Sequence, residues 1–268
     1  MKEMEQPLTL TALTTRLSAL GIHPGMTLIV HSSLSALGYV VGGAPAVILA
    51  LETALGPNGT LAMPTHTGDL TDPAGWSNPP VPASWHATIR GAMPAFCTDL
   101  TPTRGMGIIP ETFRKQDGTL RSTHPHVSWA ARGPLAALIT SNHSLAMSQG
   151  EGSPLARLYD VDAHVLLIGV GYDRNTSLHL AEYRCTFAPR KRCTRGAPLP
   201  TEDGSSRWEA YEDIYWYDAD FKEIGRAFEA TGSVRVGRIG RAMCRLFSQR
   251  AIVDFAVRWM NENRYLPE

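Results

Sequence analysis

The residues Asp173-Arg174-Asn175-Thr176-Ser177-Leu178-His179-Leu180-Ala181-Glu182 carry a titratable pair whose spacing suits proton transfer. His179 and Glu182 are three apart, so on a helix their side chains share a face. If Asn175 or Thr176 caps that helix, His179 sits in its first turn, where the dipole disfavours imidazolium. A neutral imidazole near pH 7 is what a general base requires, and Glu182 can accept from its other ring nitrogen and orient it. The same spacing also describes an ordinary surface pair. What favours chemistry is the position of the pair directly after the apolar run Val165-Leu166-Leu167-Ile168-Gly169-Val170.

Two further segments concentrate polar groups. His31-Ser32-Ser33-Leu34-Ser35-Ala36-Leu37-Gly38 leaves an apolar strand and ends at Gly42-Gly43 before a helix. Hydroxyls and open backbone N–H groups at a helix start suit phosphate oxygens, although a capped turn uses the same residues. Arg121-Ser122-Thr123-His124-Pro125-His126-Val127-Ser128 gathers a cation and several donors in a loop. Pro125 holds His124 extended, and the ring can bind, donate, catalyse or serve the structure.

The elements that position these segments alternate between helix and strand. Leu10, Leu13, Leu17 and Leu20 lie on one helical face, Gly21 stops that helix, and Thr27 to Val30 reads as an interior strand. Pro45 to Leu55 repeats the helix, Gly56-Pro57-Asn58-Gly59 turns the chain, and Thr60 to Met63 repeats the strand. Residues 64–85 read as a long loop, functional or mobile. A short helix and the Gly-rich Arg104-Gly105-Met106-Gly107 follow between Pro94 and Phe113, another helix starts at Pro134 to Ile139, and Arg235 to Met260 reads as two helical runs, the second Ala251 to Trp259. The pattern predicts a layered α/β fold, with residues 1–268 as one domain and a C-terminal elaboration at about 190–235.

Apolar residues make up 43% and charged residues 19%, and 25 basic side chains balance 25 acidic ones. That balance excludes the strong field of a nucleic-acid binder. No apolar run approaches the roughly 18 residues of a membrane span, and the polar start lacks a signal peptide, so the expectation is a cytoplasmic protein with no membrane partner. Cys97, Cys185, Cys193 and Cys244 form no CxxC pair, which argues for reduced thiols and against zinc. Locally, Arg184, Arg190, Lys191, Arg192 and Arg195 precede an acid-rich stretch from Glu202 to Glu223. The two patches are either a solvated surface or sites for a phosphorylated cofactor and a cationic substrate.

The ordered set of segments resembles the aminoglycoside 3-N-acetyltransferases, the antibiotic N-acetyltransferases outside the GNAT superfamily. Its carriers are His31-Ser32-Ser33-Leu34 with Gly38 and Gly42-Gly43, Leu55 to Leu61 with Met63-Pro64, Arg121 to Pro125, Gly152-Ser153-Pro154, and Leu166 to Gly171 followed by Thr176 to Glu182. The resemblance covers nearly the whole chain and implies a three-layer α/β/α fold with a central mixed sheet. It implies acetyl-CoA as co-substrate, no metal, and a 2-deoxystreptamine antibiotic acetylated on its 3-amino group, a resistance activity. It implies that His31, Ser32, Ser33, Leu34, Ser35, Leu37, Gly38, Val40 and Val41 contact the cofactor, with Arg121, Ser122 and His124 on the same side. His179 and Glu182 would form the catalytic centre, with Thr176, Thr65 or backbone N–H groups for the oxyanion. Asp69, Glu209, Glu212, Asp213, Asp218 and Asp220 would face the cationic substrate, and the protein would be a monomer or homodimer. Three other readings use the same residues: an acetyltransferase for another small amine, a non-catalytic CoA-binding protein, and a metal-dependent hydrolase built on His66, His124, His126 or His179.

Overall fold

The structure, a computed structural model, describes residues 6–186 and 192–264. Arg190 and Lys191 of the basic stretch lie outside the described residues. The strands are β1 (Thr27–Ser32), β2 (Thr60–Pro64), β3 (Leu120–Arg121), β4 (Trp129–Arg132), β5 (His164–Ile168), β6 (Arg192–Pro200), β7 (Ser206–Ile214), β8 (Arg235–Ile239) and β9 (Ala242–Ser248). The helices are α1 (Leu10–Leu20), α2 (Gly43–Leu55), α3 (His86–Ala92), α4 (Ile108–Phe113), α5 (Ala136–Thr140), α6 (Pro154–Asp160), α7 (Ser177–Arg184), α8 (Phe221–Glu229) and α9 (Gln249–Asn263).

Seven strands form one mixed sheet in the order β3-β4-β2-β1-β5-β9-β8. β1 lies parallel to both β2 and β5, while the flanking strands run antiparallel. Strand periodicity splits each strand between two faces. Leu28 and Val30 of β1, with Leu166 and Ile168 of β5, pack under α1, α2 and α4. Ile29, Val165 and Leu167 face the opposite way, toward α5 to α9. The result is the expected α/β/α layering.

Local signals explain the first helices. Thr9 Oγ1 accepts from Ala12 N at the start of α1, and Gly21 closes it at φ 117°. The leucines Leu13 and Leu17 are almost fully buried, so truncating either to Ala costs about 2–5 kcal/mol. Gly42 and Gly43 enter α2 with φ of 83° and 60°, a left-handed step that only glycine takes cheaply.

The region from Arg235 to Met260 departs from expectation. Its first run is not a helix but the hairpin β8–β9, paired from Arg235 with Leu246 to Ile239 with Ala242. Gly240 and Arg241 make the turn, and Cys244, Leu246 and Phe247 supply apolar groups to both faces of the sheet. The second run is a helix, α9, which starts at Gln249 under a Ser248 cap. Residues 192–214 form a separate two-stranded sheet, β6–β7, followed by α8. No helix among the described residues is long and apolar enough to cross a membrane.

Candidate active site

β1, β2 and β5 run parallel, and the loops leaving β1 and β5 meet at the switch point of the sheet, where open α/β folds form crevices. A cleft of about 700 Å³ opens there. One wall is the loop after β1: His31, Ser32, Ser33, Leu34, Ser35, Gly38 and Val40 line it, together with Gly43 at the start of α2. The opposite wall is Gly105 to Pro110, and Arg174 and Thr176 close the end. Gly169 lets β5 pass this loop, because Ala36 occupies the space a Cβ would take.

Three features of the cleft fit a phosphorylated ligand. In the first turn of α2 the Gly43 N–H is taken by Val40 O and Pro45 has none, which leaves the Ala44 N–H without an intrahelical acceptor, next to the cleft residue Gly43. The Ser32 Oγ is buried without a hydrogen-bond partner. The Arg174 side chain, largely exposed, adds a cation at the rim.

Beyond Thr176, α7 carries the paired residues. Asn175 Oδ1 accepts from Ser177 N, so Asn175 supplies the side-chain cap while Thr176 is the first residue at the helix boundary. His179 lies in the first turn, and its Nδ1 is 2.7 Å from Glu182 Oε2. A carboxylate only accepts, so Nδ1 carries the proton and Nε2 presents a lone pair. The rings of Trp216 and Phe221 pack against the imidazole at 5.4 and 5.0 Å. Glu182 is almost fully buried, and its Oε1 accepts from Tyr217 N at 2.9 Å and Arg264 Nη1 at 2.8 Å.

Two more imidazoles lie nearby. His31 and His66 flank Trp129 with ring centroids at 6.4 and 6.2 Å. Burial drives both down to about 3, and the Arg121 guanidinium lowers His66 further. They are neutral at physiological pH.

The aminoglycoside 3-N-acetyltransferase family matches residues 29–261. The chain belongs to this family. It is 45% identical over 258 residues to the SPbeta prophage-derived aminoglycoside N(3')-acetyltransferase-like protein YokD of Bacillus subtilis (strain 168), covering 96% of this chain and 94% of that one. It is 35% identical to aminoglycoside N(3)-acetyltransferase VII of Streptomyces paromomycinus, covering 98% and 94%. Among solved structures, that of YokD superposes with a TM-score of 0.94 at 44% identity, covering 98% and 96%. AAC-IIIb in binary complex with CoASH gives 0.86 at 32%, covering 98% and 100%, and AAC-VIa bound to sisomicin gives 0.87 at 30%, covering 97% and 100%.

Several residues expected in the site of this acetyltransferase lie elsewhere. Leu37 is buried in the core beneath α2, because it ends the single helical turn Ser35–Leu37 and points inward. Val41 is exposed and does not line the cleft. Arg121 is buried behind the sheet edge, donating to the carbonyls of Thr65, Thr98 and Thr101 and stacking on Phe96. Burial lowers it to about 10. Ser122 Oγ bonds His143 and receives Trp129 N. His124 Nδ1 accepts from the backbone of His126 and Val127 while Nε2 donates to Leu145 O. This motif braces a loop and does not reach the cleft. Thr65 Oγ1 belongs to the same network, held by Ser128 and Arg121.

The acids divide similarly. Asp213 is fully buried under Ser148, Tyr183 and its own neighbour Ile214 N. Asp220 is clamped by Arg264. Glu209 and Glu212 are at the surface of the β6–β7 hairpin in pairs with Arg207 and Arg192, and Asp69 pairs with Arg104. Asp218 is exposed on the loop after Trp216 and Tyr217. Arg264, Trp216 and Phe221 had no local signal, since each reaches α7 only through the fold. The Gly-rich Arg104 to Gly107 did carry one, and its glycines line the cleft.

Proposed function

We propose that this chain transfers the acetyl group of acetyl-CoA to the 3-amino group of a 2-deoxystreptamine aminoglycoside, with His179 as general base. The observation that carries the reading is the His179–Glu182 pair in the first turn of α7, in the same turn as Thr176 at the end of the cleft. The CoASH-bound and sisomicin-bound family structures support the two substrate classes.

Acetyl-CoA supplies the thioester. The residues that would hold it are Ser32 to Ser35, Gly38, Val40 and the start of α2. A neutral amine must attack, so His179 Nε2 takes a proton from the nitrogen as the C–N bond forms, directly or through one water. The C–S bond then breaks, and the departing CoA thiolate takes up the proton that His179 removed, directly or through solvent, which returns the imidazole to its neutral form. Glu182 holds the ring through Nδ1–H and steadies the imidazolium, a contribution of roughly 10²–10⁴-fold for a well-placed base. Thr176 is the available oxyanion donor, since Thr65 and the first-turn N–H groups of α7 are engaged elsewhere. Asp218 follows the two residues that pack on the dyad and is the acid best placed for a cationic ring. Asp69 would exchange Arg104 for an ammonium group.

Thiol release from acetyl-CoA, measured with a panel of aminoglycosides and simple amines, tests the assignment. Turnover confined to aminoglycosides supports it. Turnover only with simple amines transfers the chemistry to another acceptor, and CoA binding without any thiol release refutes it.

A further inference from the structure

Asp220, an acid at the head of α8, does not face open solvent as a substrate-binding carboxylate would. Both its oxygens are taken by Arg264, with Nε at 2.7 Å from Oδ2 and Nη2 at 2.7 Å from Oδ1. The same guanidinium reaches Glu182 Oε1 through Nη1 at 2.8 Å and Tyr217 O through Nη2 at 2.8 Å. The three charged side chains are 9%, 3% and 12% exposed for Arg264, Glu182 and Asp220. Arg264 closes the end of α9, so one residue ties α7, α8 and the loop between β7 and α8 into one unit.

We infer that Arg264 is a positioning residue for the catalytic dyad, fixing Glu182 in both geometry and charge through a fork shared with Asp220. The inference rests on His179 acting as the base. Glu182 has two oxygens with separate tasks: Oε2 holds the imidazole, and Oε1 is held by Arg264 and Tyr217 N. Without Arg264 the carboxylate can rotate, and the ring it orients follows. Arg is required because a planar fork satisfies two carboxylates at fixed angles, whereas an ammonium is a single point.

Glu182 and Asp220 bring two negative charges and Arg264 one positive charge, so the cluster beside His179 carries a net of minus one. The other groups facing His179 are the uncharged rings of Trp216 and Phe221, neutral His66, and Arg195, which stacks on Trp216 at 4.0 Å. Removing Arg264 leaves two uncompensated negative charges, and the His179–Glu182 pair takes up its proton at higher pH. Neutralising Asp220 does the reverse.

The test uses the full-length protein with acetyl-CoA and an accepted aminoglycoside. Arg264→Met should lower kcat by roughly 10- to 100-fold, the cost of a misplaced catalytic group. The KM for acetyl-CoA should stay within about twofold, because Arg264 does not line the cleft. The acid limb of the kcat profile should move to higher pH. Arg264→Lys should return the limb toward the parent and recover part of kcat, while Asp220→Asn should move the limb to lower pH. Should Arg264→Met fail to fold, the Lys and Asn variants carry the same test. Unmoved acid limbs, or a loss of kcat that Lys does not lessen, overturn the inference. If His179→Ala is inactive while these variants behave as the parent, only the positioning role fails. If His179→Ala keeps its turnover, the general-base reading fails first.

Discussion

His179 Nδ1 lies 2.7 Å from Glu182 Oε2, and both residues sit within the eight-residue helix α7. The bond selects the tautomer in which Nε2 is the acceptor. Glu182→Gln preserves the shape and an acceptor oxygen but removes the charge that steadies the imidazolium. Its kcat should fall roughly 10²-fold at neutral pH, with acetyl-CoA affinity near that of the parent. Initial rates and direct CoA binding on the same preparation check both halves.

Stability should respond to acid through buried imidazoles. Burial holds His31 and His66 down to about 3, His124 to about 2, and His126 and His143 to about 4. Each is neutral in the folded chain and titrates near 6.5 once unfolded, so the unfolded state binds more protons below that pH. Stability present above about pH 6.5 is therefore lost as pH falls toward these folded values. Each histidine contributes roughly 1.4 kcal/mol per pH unit inside the window. Urea midpoints measured between about pH 7.5 and about pH 4.5 should decline steeply; a flat series would show that these rings are not buried neutral.

Arg121 offers a separation of structure from chemistry. It donates to three backbone carbonyls and to the hydroxyls of Thr65 and Ser128. Arg121→Met leaves those acceptors unpaired, and the cost should be about 2–5 kcal/mol. Acetyl-CoA KM in the surviving folded fraction should be unchanged. A large rise in KM without loss of melting temperature would place Arg121 in the cofactor site after all.

What could be read from the chain was local. The hydroxyl-rich loop from His31 to Ser35 and the three-residue spacing of His179 and Glu182 are contiguous, and both segments reach the cleft region as elements of one strand or one helix. Charge alone misled at Asp213 and Asp220, because their partners Tyr183 and Arg264 lie 30 and 44 residues away. Arg121 misled for the same reason: a cation among donors reads as an anion site, whereas its acceptors are carbonyls brought in by residues 98 to 101. The β8–β9 hairpin was read as helix because Arg235 to Ile239 mixes charged and branched residues without clean alternation, and only pairing with β9 at the sheet edge settles its state.

In the proposed mechanism His179 acts on the amine and not on the cofactor. His179→Ala, compared with the parent for CoA affinity by titration calorimetry and for kcat by thiol release, tests it most directly. CoA affinity should stay within about twofold of the parent and kcat should fall by roughly 10²–10⁴-fold. Unchanged kcat, or lost CoA affinity that accounts for the whole effect, would contradict it.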